Sequence, residues 1–175
     1  MRRLALLSAM VAAAPPLYAQ YDAQFEDDID EKPWKEVQAQ LPPYPQTEKL
    51  LEFQPGSTSS NRFFVDTASI DIGSDEVVRY ALVVKTPNGA TNVSFEGIRC
   101  ATSELRLYAF GHADDTWSRA RNSGWTRIYN STVNRHHAAL AREYLCPNGI
   151  AVRTPEEAID ALKRGGHPAL PQTYR

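Results

Sequence analysis

Residues 76–86 read EVVRYALVVKT, and the apolar side chains repeat with a period of two. Val78, Tyr80, Leu82 and Val84 fall on one face of an extended strand; Val77, Arg79, Ala81, Val83 and Lys85 make a mixed opposite face. Pro87-Asn88-Gly89 follows as a turn, since Asn and Gly both tolerate positive φ. A second strand is predicted over 90–100, where Val93 and Phe95 share a face and the apolar phase then shifts to Ile98. A β-bulge at Gly97 would produce that shift. Residues 104–111 alternate too, with Leu105, Leu107 and Ala109 opposed by Arg106, Tyr108 and Phe110. Residues 62–66 (RFFVD) and 69–72 (SIDI) are short strand candidates upstream. The expectation is an antiparallel β-meander of about five strands.

The last third changes period. Val133, His137, Leu140, Ala141, Tyr144 and Leu145 recur at three and four spacing, one face of an amphipathic helix that Cys146-Pro147-Asn148-Gly149 terminates. Thr154-Pro155-Glu156-Glu157 is a capping box: Thr154 caps, Pro155 takes the first position and Glu157 reaches back. Ala158, Ile159 and Leu162 form the buried stripe of this second helix, and Gly165-Gly166 stops it. Strands first and helices last predict an α+β fold, one domain over 61–175.

What precedes residue 61 is of another kind. Met1-Arg2-Arg3, an uncharged apolar run over 4–14, Pro15-Pro16 and a small residue at Ala19 have the order of a secretory signal peptide. The run is too short for a membrane span. The expectation is export, cleavage after Ala19 and no membrane anchor afterwards. Residues 20–60 hold nine acids and three lysines, with Pro33, Pro42, Pro43, Pro45 and Pro55 favouring extended geometry. This reads as an acidic arm in which 34–40 offers a short helical turn. Trp34, Leu41, Tyr44, Leu50, Leu51 and Phe53 are able to pin it to the body. The acids would be solvated or would cover arginines of the body. Residues 56–60 (GSTSS) read as a flexible joint.

Charge narrows the function classes. The whole chain carries −2, so no basic excess exists to hold a phosphate backbone, and nucleic acid is not an expected partner. Residues 61–175 nevertheless contain 14 basic side chains, 12 of them arginine. The arm is acidic and the body is arginine-rich.

The runs FFVDTASIDIG (63–73), VVRYALVV (77–84), NVSFEGIRC (92–100), LYAFG (107–111) and YLCPNG (144–149) resemble the cryptic neisserial protein family over roughly residues 33–162. The resemblance implies an exported protein of the kind found in β- and γ-proteobacteria, located in the periplasm. Several family members are lipoproteins, whereas the first cysteine here is Cys100, so acylation after the leader is not expected. The family has no established activity, and the resemblance carries over no catalytic residue.

In an oxidising periplasm Cys100 and Cys146 are expected to be bridged, stapling the end of a strand to the end of a helix. Neither C-x-x-C nor a neighbouring histidine suggests redox catalysis. Trp117-Ser118-Arg119-Ala120-Arg121 and Trp125-Thr126-Arg127 interleave indoles with guanidinium groups, which stack on one another and fork onto carboxylates. With Arg79, Arg99 and Arg106 they form the candidate binding surface, comprising Arg79, Arg99, Arg106, Trp117, Arg121 and Trp125. The plainer reading makes the tryptophans core and pairs the arginines with Glu96, Glu104, Asp114 and Asp115. Glu96, beside Gly97, is the acid singled out as a further site residue.

His136 and His137 lack the i, i+4 spacing for a shared metal, so no metal or cofactor is expected; His137 reads as a core residue and His167 as a surface one. No G-x-S-x-G, H-E-x-x-H, P-loop or G-x-G-x-x-G occurs. The sequence therefore favours a binding or accessory protein meeting an envelope protein or anionic envelope component. A small hydrolase with a cleft near Glu96 and His136 ranks second, and a purely structural envelope protein third. Convergence of Glu96, Arg99, His112 and His136 in one concave site would favour the enzyme.

Overall fold

The computed structural model describes residues 33–56, 59–131 and 134–171. The expected leader, most of the acidic run and Val133 lie outside the described residues. Residues Trp34–Arg175 form one compact unit.

Its centre is a seven-stranded antiparallel sheet: β1 (Leu50–Phe53), β2 (Arg62–Ile72), β3 (Val77–Lys85), β4 (Thr91–Arg99), β5 (Glu104–Gly111), β6 (Trp117–Arg119) and β7 (Thr126–Arg127). Strands β1 to β6 lie in chain order, each beside its predecessor, and β7 pairs with β5 alongside β6. This is the expected meander with a short strand added in front and two behind. The two short candidates of the sequence merge into β2. Its register with β3 jumps from Asp66↔Ala81 to Asp71↔Arg79, and the Ser69 hydroxyl fills the gap by accepting from Ala81 N–H at 2.7 Å.

Two helices follow, making the α+β fold. Helix α1 (Arg135–Ala139) continues as a wider π-helical stretch, Leu140–Leu145, closed by a bond from Cys146 N–H to Ala141 O (2.7 Å). Helix α2 (Pro155–Arg164) starts with half of the expected capping box: the Thr154 hydroxyl accepts from Glu157 N–H, whereas the Glu157 carboxylate accepts from Arg153 N–H, one residue before the cap. Gly165, at φ 71, ends it. A disulfide joins Cys100, just past β4, to Cys146, just past the π-helical stretch, across 46 residues.

Both faces of the sheet are covered. Val78, Tyr80 and Leu82 of β3 and Ile98 of β4 pack with Leu140, Tyr144, Leu145, Ala158 and Leu162 from the helices. On the reverse face, Phe64, Val83, Val93, Phe95, Tyr108 and Ala109 pack under Ala39, Leu41, Tyr44 and Trp117. The cover there is residues 34–46, an extended strap without regular secondary structure. The helical turn expected over 34–40 does not form, because the polar groups of Trp34, Glu36 and Val37 bond to the body instead of to one another. The mixed face of β3 is therefore buried: Val77, Arg79, Ala81 and Val83 are each at most 3% exposed.

Burial on both sides also explains the apolar phase of β4. Its register with β3 runs without a break from Val77↔Arg99 to Lys85↔Thr91, so Gly97 is not a bulge. The irregularity lies in β5, where Phe95↔Ala109 is followed by Glu96↔Leu107 and Tyr108 is the extra residue. Val93 and Phe95 serve the strap face, Ile98 the helix face. Gly97 instead makes room: a Cβ there would stand 2.7 Å from the Tyr108 hydroxyl and 3.0 Å from Val77 Cγ1.

Candidate functional site

The turn between β2 and β3 is built around a buried ion pair. Asp75 Oδ2 accepts from Arg79 Nη2 at 2.6 Å and Oδ1 from Nη1 at 3.1 Å, a two-pronged contact that suits the planar guanidinium. Gly73 is required beside it, since a Cβ there would meet Asp75 Oδ1 at 2.2 Å and Arg79 Nη1 at 2.6 Å. Burial opposes the charge of Asp75, but the Arg79 guanidinium and the N–H groups of Val37 and Val77 outweigh it and hold the carboxyl below its ordinary range. Burial likewise opposes the charge of Arg79; Asp75 more than offsets it, so the guanidinium stays protonated.

The strap threads past this pair. Val37 is held at both backbone groups: its N–H donates to Asp75 Oδ2 (2.8 Å), and its carbonyl accepts from Arg79 Nη2 (3.0 Å). Its neighbour Glu36 sits at the convergence of three donors, with a second guanidinium close by. Oε2 accepts from Arg106 Nη1 and from Trp125 Nε1 (3.1 Å), Oε1 accepts from the Tyr108 hydroxyl (2.7 Å), and Arg79 Nη2 lies 3.9 Å from Oε1. Burial raises the Tyr108 phenol well above its ordinary value, and the Glu36 carboxylate adds to the rise, so Tyr108 serves as a donor. Trp34 completes the group. Its indole N–H donates to Asp75 O (3.0 Å), Arg99 stacks over its ring at 3.9 Å, and Trp125 meets it edge-on at 5.9 Å. Further along, Trp117 Nε1 donates to Pro42 O (3.0 Å), and the Tyr44 hydroxyl donates to His112 O (2.7 Å).

The opposite face holds a second polar group. Glu96 of β4 is buried below the helices. Ser94 donates to its Oε1 at 2.6 Å, Tyr80 donates to Oε2 at 3.0 Å, and His137 Nε2 lies 2.9 Å from Oε2. Burial works against the charge on both Glu96 and His137. Their mutual attraction prevails, lowering the carboxyl and raising the imidazole, which favours the ion-paired form. His136 stacks on Phe63 with ring centres 4.8 Å apart. Burial, helped by the charge on His137, pushes His136 down to about 4. Ser94 and Glu96 also line an open cleft of about 340 Å³ with Asn92, Leu107 and Phe110.

Of the residues singled out from sequence, Arg79, Arg99, Arg106, Trp117 and Trp125 lie on the strap side of the sheet, around Trp34, Glu36 and Pro42. Arg121 is exposed in the loop between β6 and β7, and Glu96 is on the helix side. Glu96 comes together with His137 and, through it, His136. Arg99 lies across the sheet, and His112 bonds to Ser118 Oγ at 2.6 Å. His167 is buried, its Nε2 3.0 Å from Glu157 Oε1, and not a surface residue. Sequence reasoning passed over Glu36, Asp75 and Tyr108 as site residues. The one available signal was Trp34-x-Glu36, an aromatic and an acid at strand spacing in a segment free of regular structure. Among the described residues no three His, Cys, Asp or Glu side chains are grouped to hold a metal ion, and no helix is long and apolar enough to cross a membrane.

An antiparallel meander clasped to two helices by one disulfide, with an extended strap over its free face, defines the class of protein. The chain belongs to the CNP1-like family, whose model matches residues 29–163. It is 28% identical to Cryptic neisserial protein 1 of Neisseria gonorrhoeae (strain ATCC 700825 / FA 1090), over 88% of this chain and 89% of that one. The family has no established activity. No solved structure matches.

Proposed function

We propose that the protein is an exported binding or accessory protein of the periplasm, meeting an envelope protein or an anionic envelope component through its arginine–tryptophan face. The observation that carries this reading is the capture of a single carboxylate, that of Glu36, by Arg106, Tyr108 and Trp125, with Arg79 beside it. One guanidinium, a phenol and an indole donating to one carboxylate, with a second guanidinium 3.9 Å away, are the chemistry of carboxylate recognition. The signal-like order of residues 1–19 and the Cys100–Cys146 bridge support export to an oxidising compartment.

The hydrolase reading draws on Glu96 in the lining of the cleft. Both Glu96 oxygens are already occupied by Ser94, Tyr80 and His137, the Nδ1 of His137 has no partner among the described residues, and Arg99 and His112 lie elsewhere. Recognition is therefore preferred to catalysis.

The test joins location with contact. A photo-crosslinking side chain at the exposed Arg121, with expression in a Gram-negative host, should give a shortened chain released by osmotic shock and a discrete adduct with an envelope component. A full-length chain retained in the cytosol, or the absence of any discrete adduct, would overturn the reading.

A further inference from the structure

The strap is held in an unusual manner for a segment lying on a sheet. Residues 34–46 make no ladder with any strand. The body reaches up with side chains and binds the segment as a ligand is bound. One peptide residue, Val37, is gripped through its N–H and carbonyl by Asp75 and Arg79, a contact indifferent to its side chain, which points to solvent with the residue 43% exposed. The residue before it must bring a carboxylate to Arg106, Tyr108 and Trp125. Two residues before that carboxylate comes an aromatic ring, clamped between Arg99 and Trp125. The Nε of Arg79 is buried and has no acceptor among the described residues, a donor that the resident segment leaves unused.

We propose that this groove is a peptide-recognition site loaded with the protein's own residues 34–46, which exchange for an extended segment of a partner protein carrying an aromatic residue and, two positions later, a carboxylate. The inference rests on the recognition role assigned to this face above and adds to it the chemistry of the occupant. Backbone gripping plus one carboxylate and one ring selects an extended acidic–aromatic peptide over a polyanionic surface, because an anionic polymer would satisfy Arg106 but has no N–H to replace the one that Asp75 Oδ2 takes from Val37. The strap competes from a tether, at an effective concentration of about a millimolar, so the intact protein holds an incoming segment weakly until its own strap loosens.

The experiment uses the full chain and a labelled peptide copying residues 34–46. In the full chain carrying Trp34→Ala and Glu36→Gln, the resident strap loses its ring and its charge while the groove is untouched. That variant should bind the peptide at least tenfold more tightly than the unsubstituted protein. The same peptide with Gln in place of its glutamate should lose at least tenfold in affinity. Equal peptide affinity for the variant and the unsubstituted protein, or indifference to the glutamate, would overturn the proposal. A peptide with a photo-crosslinker at the position of Val37, in excess over the unsubstituted protein, provides a measurement free of folding effects. Adducts confined to residues 73–79 support exchange; adducts scattered over the surface, or none, refute it. An envelope adduct from Arg121 in cells, together with no peptide exchange, would sink this inference and leave the recognition role standing.

Discussion

His137 Nε2 and Glu96 Oε2 lie 2.9 Å apart in the interior, tying the first C-terminal helix to the middle of the sheet. Their pairing, and the neutral His136 beside it, give the fold a pH profile whose direction on each side is determined. Raising the His137 value adds stability that is complete below pH 6.5 and fades as pH climbs through the raised value. Lowering the Glu96 value adds stability above pH 4.5 that fades as pH falls through the lowered one. His136, at about 4, refuses a proton that the unfolded chain accepts from 6.5 downward, so stability also drops between those two values. Its share is on the order of 1–2 kcal/mol, allowing for its partial exposure. The urea midpoint should peak near neutrality and decline on both sides. His136→Phe, which keeps the stack on Phe63, should flatten the acid limb between pH 6.5 and 4.

Removing Glu96 tests the same pair from the other side. Glu96→Ala leaves the buried Tyr80 hydroxyl and the imidazole of His137 without their acceptor. A loss of about 3–5 kcal/mol is expected from breaking a buried ion pair on one side. Urea unfolding of the variant at pH 7 measures it.

Gly97→Ala should cost about 1–3 kcal/mol, because the added methyl collides with the Tyr108 ring and Val77. Tyr108 cannot swing away without releasing Glu36. Hydrogen exchange should therefore quicken over residues 34–46 more than over the helices.

Replacing both Cys100 and Cys146 with Ser reopens a loop of 46 residues and should lower stability by about 2–5 kcal/mol. The melting temperature with and without reductant reports the effect in the unsubstituted protein. The oxidised chain, unfolded without reductant, should show no titratable thiol.

Arg106→Ala removes a partly exposed partner of Glu36, so global stability should change by no more than about 1 kcal/mol. Proteolytic nicking within 34–46 should nonetheless rise severalfold. An unchanged nicking rate would show that Arg106 does not retain the strap.

The strands that carry the core were legible because period-two alternation is written locally: β3 displays Val78, Tyr80, Leu82 and Val84 without reference to any partner. The capping box of α2 is local for the same reason. Strand β1, four residues of LLEF, carries no such period and is a strand only because β2 lies next to it. The position of the bulge was misread because both faces of β4 are covered, which produces the same apolar change of phase as an extra residue. The strap site was out of reach for a different reason. Arg106 and Glu36 are 70 residues apart, Trp125 and Glu36 are 89 apart, and spacing along the chain does not encode such meetings. The arginines could be named, but not the acid that faces them.

The single covalent link lies between the sheet and the helices, and nothing comparable secures the opposite face. A tug on the N-terminal end would therefore peel residues 34–46 away first and leave the remainder clamped shut. The molecule is fastened covalently on one side and by reversible contacts on the other.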